Sequence, residues 1–252
     1  MVSDATRKVF DGLGTHITKL VMQNLYLTYG LAEGQIFNRC DLVERYIETL
    51  FSKASKFFID RIKDELLPFS ITKNRLLSLA DIASEMKEAQ VEQFVRCMSG
   101  HEHVGFLYHK TAIKDAILSQ FFDPSTSGAL VSLKMSGKFG VPQMVYEDLL
   151  KMRKAEALEG MFMWLEEVHR TNRSGRETRV AGEDASWFLQ NGFEEEILEA
   201  ERSLGHRISV KRSVMCSYNI AGIATEGQLK KIIESHGHII TDQPLAVYHA
   251  PG

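Results

Sequence analysis

Cysteine is scarce in this chain of 252 residues, and the few cysteines lie far apart. The chain has an odd number of cysteines, Cys40, Cys97 and Cys216, and no two of them form a C-x-x-C motif. A disulfide framework is therefore not expected, and this usage is typical of a reducing compartment.

The chain also lacks long apolar runs and a large net charge. No stretch approaches the roughly 18 consecutive apolar residues of a membrane helix, and the N-terminus has no apolar run typical of a signal peptide. The net charge is −3 with scattered basic residues, so neither nucleic acid nor an anionic membrane is an expected partner. We expect a soluble cytoplasmic protein.

Helical spacing dominates the first third of the sequence. Apolar residues recur every three or four positions between residues 5 and 67, which predicts an all-helical unit. A few short helices bury little surface, so this unit is expected to pack on the rest of the chain or on another copy. Residues 71–95 predict one long helix, compatible equally with interdomain signalling and with ordinary packing on a core.

The pattern changes near residue 100. Predicted strands at 104–108, 129–135 and 177–181 alternate with helical stretches, including a long one over 142–169. Strands that alternate with helices predict an α/β fold with a mainly parallel sheet and helices on both faces. The predicted domains are a helical domain over 1–70, a linker helix over 71–98 and an α/β domain over 99–252.

The last forty residues are the most informative. A strand over 212–218 ends in Cys216-Ser-Tyr218, an amphipathic helix follows, and His236 precedes a second strand. A thiol, a phenol and an imidazole thus stand near element ends, where side chains can line a pocket rather than fill a core.

A nucleotide site is not supported. A P-loop needs G-x-x-x-x-G-K-[ST], because its backbone amides must wrap the phosphates. The segment 105–111 ends in Lys110-Thr111 but is one residue short and lacks the glycine before lysine. Lys138 lacks the upstream glycine and is followed by Phe139. ATP hydrolysis is therefore not expected.

Metal and thiol chemistry are weaker alternatives. Nitrogen and sulfur donors that suit zinc occur at Cys97, His101, His103, His236 and His238. Their spacing matches no familiar zinc module and favours turn and surface histidines. Cys216 could pair with His236 or His238 as a nucleophile, but a buried structural cysteine is the more ordinary interpretation. We predict no catalytic residue, no metal ligand and no cofactor.

Acidic residues crowd the segment 183–201. The run over 194–201 predicts a solvated helix face. Glu183 directly follows the strand over 177–181, and ligands bind at the carboxyl ends of strands in open α/β sheets. Arg179, Glu183 and Trp187 are therefore the better pocket candidates, although a lone tryptophan belongs more often to the core.

Residues 101–248 resemble the MEDS domain, the sensory domain of DcmR-type regulators in methylotrophs and methanogens. The similarity rests on four features. The first is a strand that begins with histidine, and the second is a strand followed by Gly-Glu and then an aromatic residue. The third is a helix with an acidic residue near its end, and the fourth is a Cys-x-Tyr strand followed by a helix and a histidine. Here these are His103 to Tyr108, Arg179 to Glu183 with Trp187, Glu201, and Cys216, Tyr218 and His236.

The resemblance implies a RecA/KaiC-like fold that has lost its P-loop and senses small molecules, among them hydrocarbon derivatives. Family members have more strand over 136–170 and a proline after the final histidine, where this chain has Gly237. The resemblance therefore does not identify the ligand. Residues 5–67 are similar to small helical output domains of archaeal sensory proteins.

We therefore expect a signal-transduction protein that senses an unidentified small molecule and signals through its helical N-terminus. Residues 1–95 are expected to contact a protein partner or to form a homo-oligomer. The predicted ligand-binding residues are His103, Tyr108, Arg179, Glu183, Trp187, Cys216, Tyr218 and His236. The alternatives are a thiol- or metal-dependent enzyme that uses Cys216 and nearby histidines, and a scaffold without a ligand.

Overall fold

A computed structural model of the chain describes residues 2–32, 35–36, 39–98, 100–122, 127–149, 154–171, 177–205 and 212–249. The chain divides into two compact units, Met1–Gln90 and Val91–Gly252. In these described ranges, no helix is both long enough and apolar enough to cross a membrane.

The first unit is all-helical and surrounds an apolar core of its own. The rings of Phe10, Phe51 and Phe58 pack together at centroid distances of 5.6, 5.4 and 4.3 Å, the arrangement that helical spacing of aromatic residues allows. Its helices are α1 Val2–Asp11, α2 Thr15–Tyr29, α3 Cys40–Phe51, α4 Ser55–Leu66 and the first part of α5 Leu79–Cys97.

The predicted connecting helix is shorter than expected. It begins at Leu79 rather than at residue 71, since residues 71–78 form bends and turns. The hydroxyl of Ser78 accepts a 3.1 Å hydrogen bond from the N–H of Asp81, so Ser78 caps the helix start. The early turns of α5 contribute to the core of the first unit and the later turns to that of the second.

The second unit alternates strands and helices, as the sequence predicts. One prediction was wrong, because the stretch expected to be helical from 142 begins with a short strand. This strand has three residues, too few for a period of two to be visible. The elements are β1 His103–Tyr108, α6 Thr111–Phe121, β2 Ser127–Ser132, β3 Gln143–Val145, α7 Tyr146–Leu149, α8 Lys154–Thr171, β4 Thr178–Gly182, α9 Ser186–Gln190, α10 Glu194–Leu204, β5 Arg212–Asn219, α11 Glu226–Ser235, β6 His238–Asp242 and β7 Leu245–His249.

The strands form one seven-stranded sheet in the order β3-β2-β4-β5-β1-β6-β7. The pairings are parallel except that β7 runs antiparallel to β6. Every residue of β1 is buried, which is typical of a parallel strand covered on both faces. The predicted fold class, α/β with a mainly parallel sheet flanked by helices, is therefore confirmed, and it is consistent with a RecA-like fold.

Two apolar layers enclose the sheet. Val104 and Phe106 of β1 pack with the end of α5 and with α6. Leu107 of β1 and Cys216 of β5 face the opposite layer, which is formed by α8, α9, α10 and α11. Because strand residues alternate between faces, each position in β1 and β5 is assigned to one layer or the other.

Candidate functional site

The loop between β1 and α6 lies where a P-loop would bind phosphate. The N–H groups of His109 and Lys110 donate to Asp242 Oδ2 at 2.8 and 2.7 Å, and His109 Nδ1 lies 2.8 Å from Asp242 Oδ1. Burial acts to raise the pKa of Asp242, but these hydrogen bonds outweigh it and the pKa is lowered. The amides that a P-loop would offer to phosphate thus bind a carboxylate of the chain itself.

Two predicted ligand residues, Tyr108 and Glu183, lie at the carboxyl edge of the sheet beside a buried lysine. Lys114 Nζ lies 3.2 Å from Glu183 Oε1, 3.6 Å from Asp115 Oδ1 and 5.4 Å from the centre of the Tyr108 ring. Burial, followed by the charge of Asp184, raises the pKa of the Tyr108 hydroxyl. Lys138 also binds Asp115, so two lysines face the two carboxylates and the group is an ion-pair network.

Arg179 and Trp187, both predicted to line a pocket, make well-defined contacts within the α/β unit. Trp187 stacks on Tyr146 with a centroid distance of 5.1 Å. Arg179 points to the face of β4 opposite Val180, because neighbouring strand residues alternate. Its guanidinium donates hydrogen bonds to four backbone carbonyls, those of Phe121 (2.9 Å), Arg96 (3.0 Å), Val95 (3.2 Å) and Met98 (3.4 Å).

The remaining predicted residues converge on a carboxylate that was not among the predicted ligand-binding residues. His103 Nε2 lies 2.8 Å and His236 Nε2 lies 3.3 Å from the same oxygen, Glu201 Oε2. Cys216 Sγ lies 3.7 Å from His103 Nε2. We call His103, Glu201, Cys216 and His236 the buried cluster; one donor atom from each lies within 4.8 Å of the others.

Each member of the buried cluster comes from a different element. His103 is the first residue of β1, Cys216 lies within β5, Glu201 belongs to α10, and His236 follows α11. Gly105 makes room for the second imidazole, since a Cβ at this position would lie 3.2 Å from His236 Cγ. Parallel pairing places Gly105 beside Cys216 and thereby brings the thiol to the same part of the sheet.

Backbone carbonyls fix the orientation of both histidine rings. His103 Nδ1 lies 2.8 Å from the carbonyl oxygen of Gly205, and His236 Nδ1 lies 2.6 Å from that of Ile232. A carbonyl oxygen only accepts hydrogen bonds, so both Nδ1 atoms carry the proton and donate. In the neutral rings, Nε2 then carries a lone pair that points into the buried cluster.

The electrostatics of the buried cluster favour the ionised form of the Glu201 carboxylate. Burial acts to raise the pKa of Glu201, but the charge of His236 and the contact with His103 outweigh it, and the pKa lies well below its ordinary value. Burial and the neighbouring His103 lower the pKa of His236. Burial and the charge of Glu201 raise the pKa of the Cys216 thiol.

Tyr218 holds the other side of the carboxylate. Its buried hydroxyl donates to Glu201 Oε1, while Oε2 faces the two imidazoles. Burial and the charge of Glu201 raise the pKa of Tyr218, so the hydroxyl keeps the proton that it donates. Tyr218 therefore orients Glu201 toward the centre of the buried cluster.

The acidic run was assigned as a whole to a solvated helix face, so Glu201 entered only through the family resemblance and not as a predicted ligand residue. Glu201 is only 2% exposed, whereas Glu195 and Glu199 of the same helix are exposed. A signal was present, because Ile197 and Leu198 precede Glu201 by four and three residues and share its buried helix face. The prediction of surface histidines was also wrong for His103 and His236, which are fully buried.

An apolar cavity adjoins the buried cluster. It has a volume of about 60 Å³, and Glu201 and Cys216 form part of its wall. Gly182 at the end of β4 and Ala200 on α10 leave space in it, since their side chains are minimal. The other lining residues are Val131, Tyr146, Met161, Phe162, Leu165, Val180, Ala185, Phe188, Ile197, Leu204 and Val214.

Replacement of Gly105 by alanine is expected to destabilise the α/β unit by roughly 1 kcal/mol through overpacking. The added Cβ would lie 2.8 Å from Ile239 Cδ1 and 3.2 Å from His236 Cγ, so the imidazole would have to shift. Urea unfolding followed by tryptophan fluorescence measures the change. Gly182→Ala is the matched control in β4, since its Cβ would meet Tyr146 Oη at an ordinary 3.5 Å. Equal stability of the two variants would contradict the assigned packing.

Comparison of the chain with protein-family models, curated proteins and solved structures found no match. The resemblance to the MEDS domain therefore stays a prediction. The function has to be argued from the geometry of the cavity and of the buried cluster.

Proposed function

We propose that this protein is a signal-transduction regulator whose α/β unit binds a small, mostly apolar molecule. The observation that carries the proposal is the apolar cavity between the sheet, α8 and α10. Enclosed apolar sites with a few convergent polar groups are the usual form of small-molecule sites in proteins. Here the polar groups are Glu201 and Cys216.

The size of the cavity limits the ligand class. At about 60 Å³ it is smaller than the roughly 150 Å³ cavity that accommodates benzene. A molecule of a few heavy atoms fits, with an apolar body against α8 and one polar atom near Glu201 or Cys216.

The signal would pass through α5. This helix contributes Val91 and Val95 to the core of the α/β unit and Ile82 and Met86 to the core of the helical unit. A ligand transmits a signal only if it favours one arrangement of the protein over another. We propose that cavity occupancy changes the stability of α5 and thereby the binding of a partner or second copy by the helical unit.

The cavity and the thiol chemistry favour this proposal over its alternatives. Cys216 has a possible base in His103, whose Nε2 lies 3.7 Å from its Sγ, but burial and the charge of Glu201 raise the pKa of the thiol, which disfavours a thiolate nucleophile. A scaffold without a ligand is expected to have a filled interior, whereas this one has a cavity with polar groups on its wall.

Ala200→Leu is expected to fill the cavity and abolish the binding of small probes. Xenon and two- to four-carbon alcohols are the probes, and xenon NMR and ligand-dependent thermal unfolding measure their binding to the full chain. Wild-type protein should bind them at least tenfold more tightly than the variant, because leucine occupies the same volume. Benzene should bind weakly to both proteins.

Glu195→Leu is the matched control, since it adds a leucine to an exposed position on the same helix. It should bind the probes like the wild type. Equal binding by wild type and Ala200→Leu would refute the cavity as the site. Hydrogen exchange at residues 79–97 tests the signalling step, which unchanged exchange under saturating probe would contradict.

A further inference from the structure

We propose that His103, Glu201, Cys216 and His236 bind one transition-metal ion, with Zn²⁺ as the best fit. The site offers two imidazole nitrogens, one sulfur and one carboxylate oxygen, the ligand types that zinc takes in proteins. This inference does not rest on the proposed function, because the chain supplies all four ligands, although Glu201 and Cys216 also line the apolar cavity.

Two of the donor-atom distances match a tetrahedral site, and the donor pairs that lie farther apart, up to 4.8 Å, would have to approach by up to about 1 Å. Zinc–ligand bonds of about 2.0–2.3 Å place the donor atoms about 3.3–3.8 Å apart. His236 Nε2 and Glu201 Oε2 are 3.3 Å apart, and Cys216 Sγ and His103 Nε2 are 3.7 Å apart. The 2.8 Å contact between His103 Nε2 and Glu201 Oε2 would have to widen by about half an ångström.

The hydrogen bonds within the buried cluster are incomplete in a way that a cation would resolve. Glu201 Oε2 and His236 Nε2 are buried without a hydrogen bond of normal geometry among the described residues, despite the short distances around them. Both imidazoles commit their Nδ1–H to backbone carbonyls, so in their neutral form each Nε2 presents a lone pair to the carboxylate. These acceptors repel one another unless positive charge lies between them.

The charges also suit a divalent ion. A thiolate and a carboxylate together balance a charge of two, and the neutral imidazoles add none. The interior would then carry no net charge, which avoids the large penalty of an unbalanced buried ion. Binding requires Cys216 to lose its thiol proton, because metal-bound cysteine is a thiolate.

The surroundings resemble those of a built metal site. The carbonyls of Gly205 and Ile232 fix the ring orientations of His103 and His236, and Tyr218 holds the distal oxygen of Glu201. Such outer contacts are typical of metal-binding histidines and carboxylates. Four protein ligands fill a tetrahedral ion, which indicates a structural or regulatory role rather than a catalytic one.

Cobalt titration of the metal-free full chain tests the proposal. We expect one Co²⁺ per chain, with the near-ultraviolet absorption of a cobalt–thiolate bond. Cys216→Ser should lose this absorption, whereas Cys97→Ser should keep it, since Cys97 is an exposed cysteine of the same unit. Absence of cobalt binding by the wild type, or absorption that depends on Cys97, would overturn the proposal.

Two histidine variants give a readout that does not depend on the thiol. His236→Gln should weaken cobalt binding at least tenfold, and His238→Gln, two residues away, should leave it unchanged. Zinc should also raise the urea midpoint of the wild type and of His238→Gln, but not that of His236→Gln. If Cys216→Ser does not fold, these variants decide the question, and equal behaviour of the two would refute the site.

Discussion

Arg179→Ala is expected to lower the free energy of unfolding of the α/β unit by about 3–5 kcal/mol. The guanidinium is buried and donates to four backbone carbonyls. Two of these belong to α5, one to Phe121 on α6 and one to Met98. Alanine would leave these carbonyls buried without that donor, and each unsatisfied group costs about 1–3 kcal/mol before relaxation. It would also leave a cavity the size of the side chain.

Urea unfolding monitored by tryptophan fluorescence measures this loss selectively, because Trp164 and Trp187 both lie in the α/β unit. Arg179→Lys should recover only part of the stability, since an ammonium has three donors and no planar fork. Arg202→Ala is the surface control; its side chain is 65% exposed, and it should change stability by less than about 0.5 kcal/mol. A value within about 1 kcal/mol of wild type for Arg179→Ala would contradict the structural role.

Glu201→Ala is expected to destabilise the metal-free protein by about 3–5 kcal/mol. The substitution removes the carboxylate that His103 and His236 approach, and it leaves the buried hydroxyl of Tyr218 without its acceptor. Burial makes these losses large, since water does not replace the missing partner. The same fluorescence-monitored unfolding in the presence of a chelator measures the effect.

Glu201→Gln separates the loss of charge from the loss of shape. Its amide oxygen can still accept from Tyr218, and its amide protons can reach the lone pairs of the imidazoles, so we expect a loss of about 1–2 kcal/mol. Glu195→Ala is the control on the exposed face of the same helix and should stay within about 0.5 kcal/mol of wild type. A similar stability for Glu201→Ala and Glu195→Ala would show that the buried cluster does not contribute to folding.

The parts of the fold that were predicted correctly came from local sequence patterns. Helical spacing over 5–67 and the alternation after residue 100 were sufficient for an all-helical unit and an α/β unit, because periods of 3.6 and 2 reflect burial on one face. The pair Cys216 and Tyr218 and the residue His236 were also identified from element ends. β3 was missed because three residues are too few to display a period.

The sequence by itself determined the types of element and four residues in and beside the buried cluster, namely His103, Cys216, Tyr218 and His236. Only the tertiary structure decided that Glu201 joins His103, Cys216 and His236, since residues almost a hundred positions apart meet through sheet order and helix packing. It also decided that Arg179 faces away from them. A local pattern states that a face is buried, but it does not state which helix covers that face, and the chemistry of a buried site depends on that pairing.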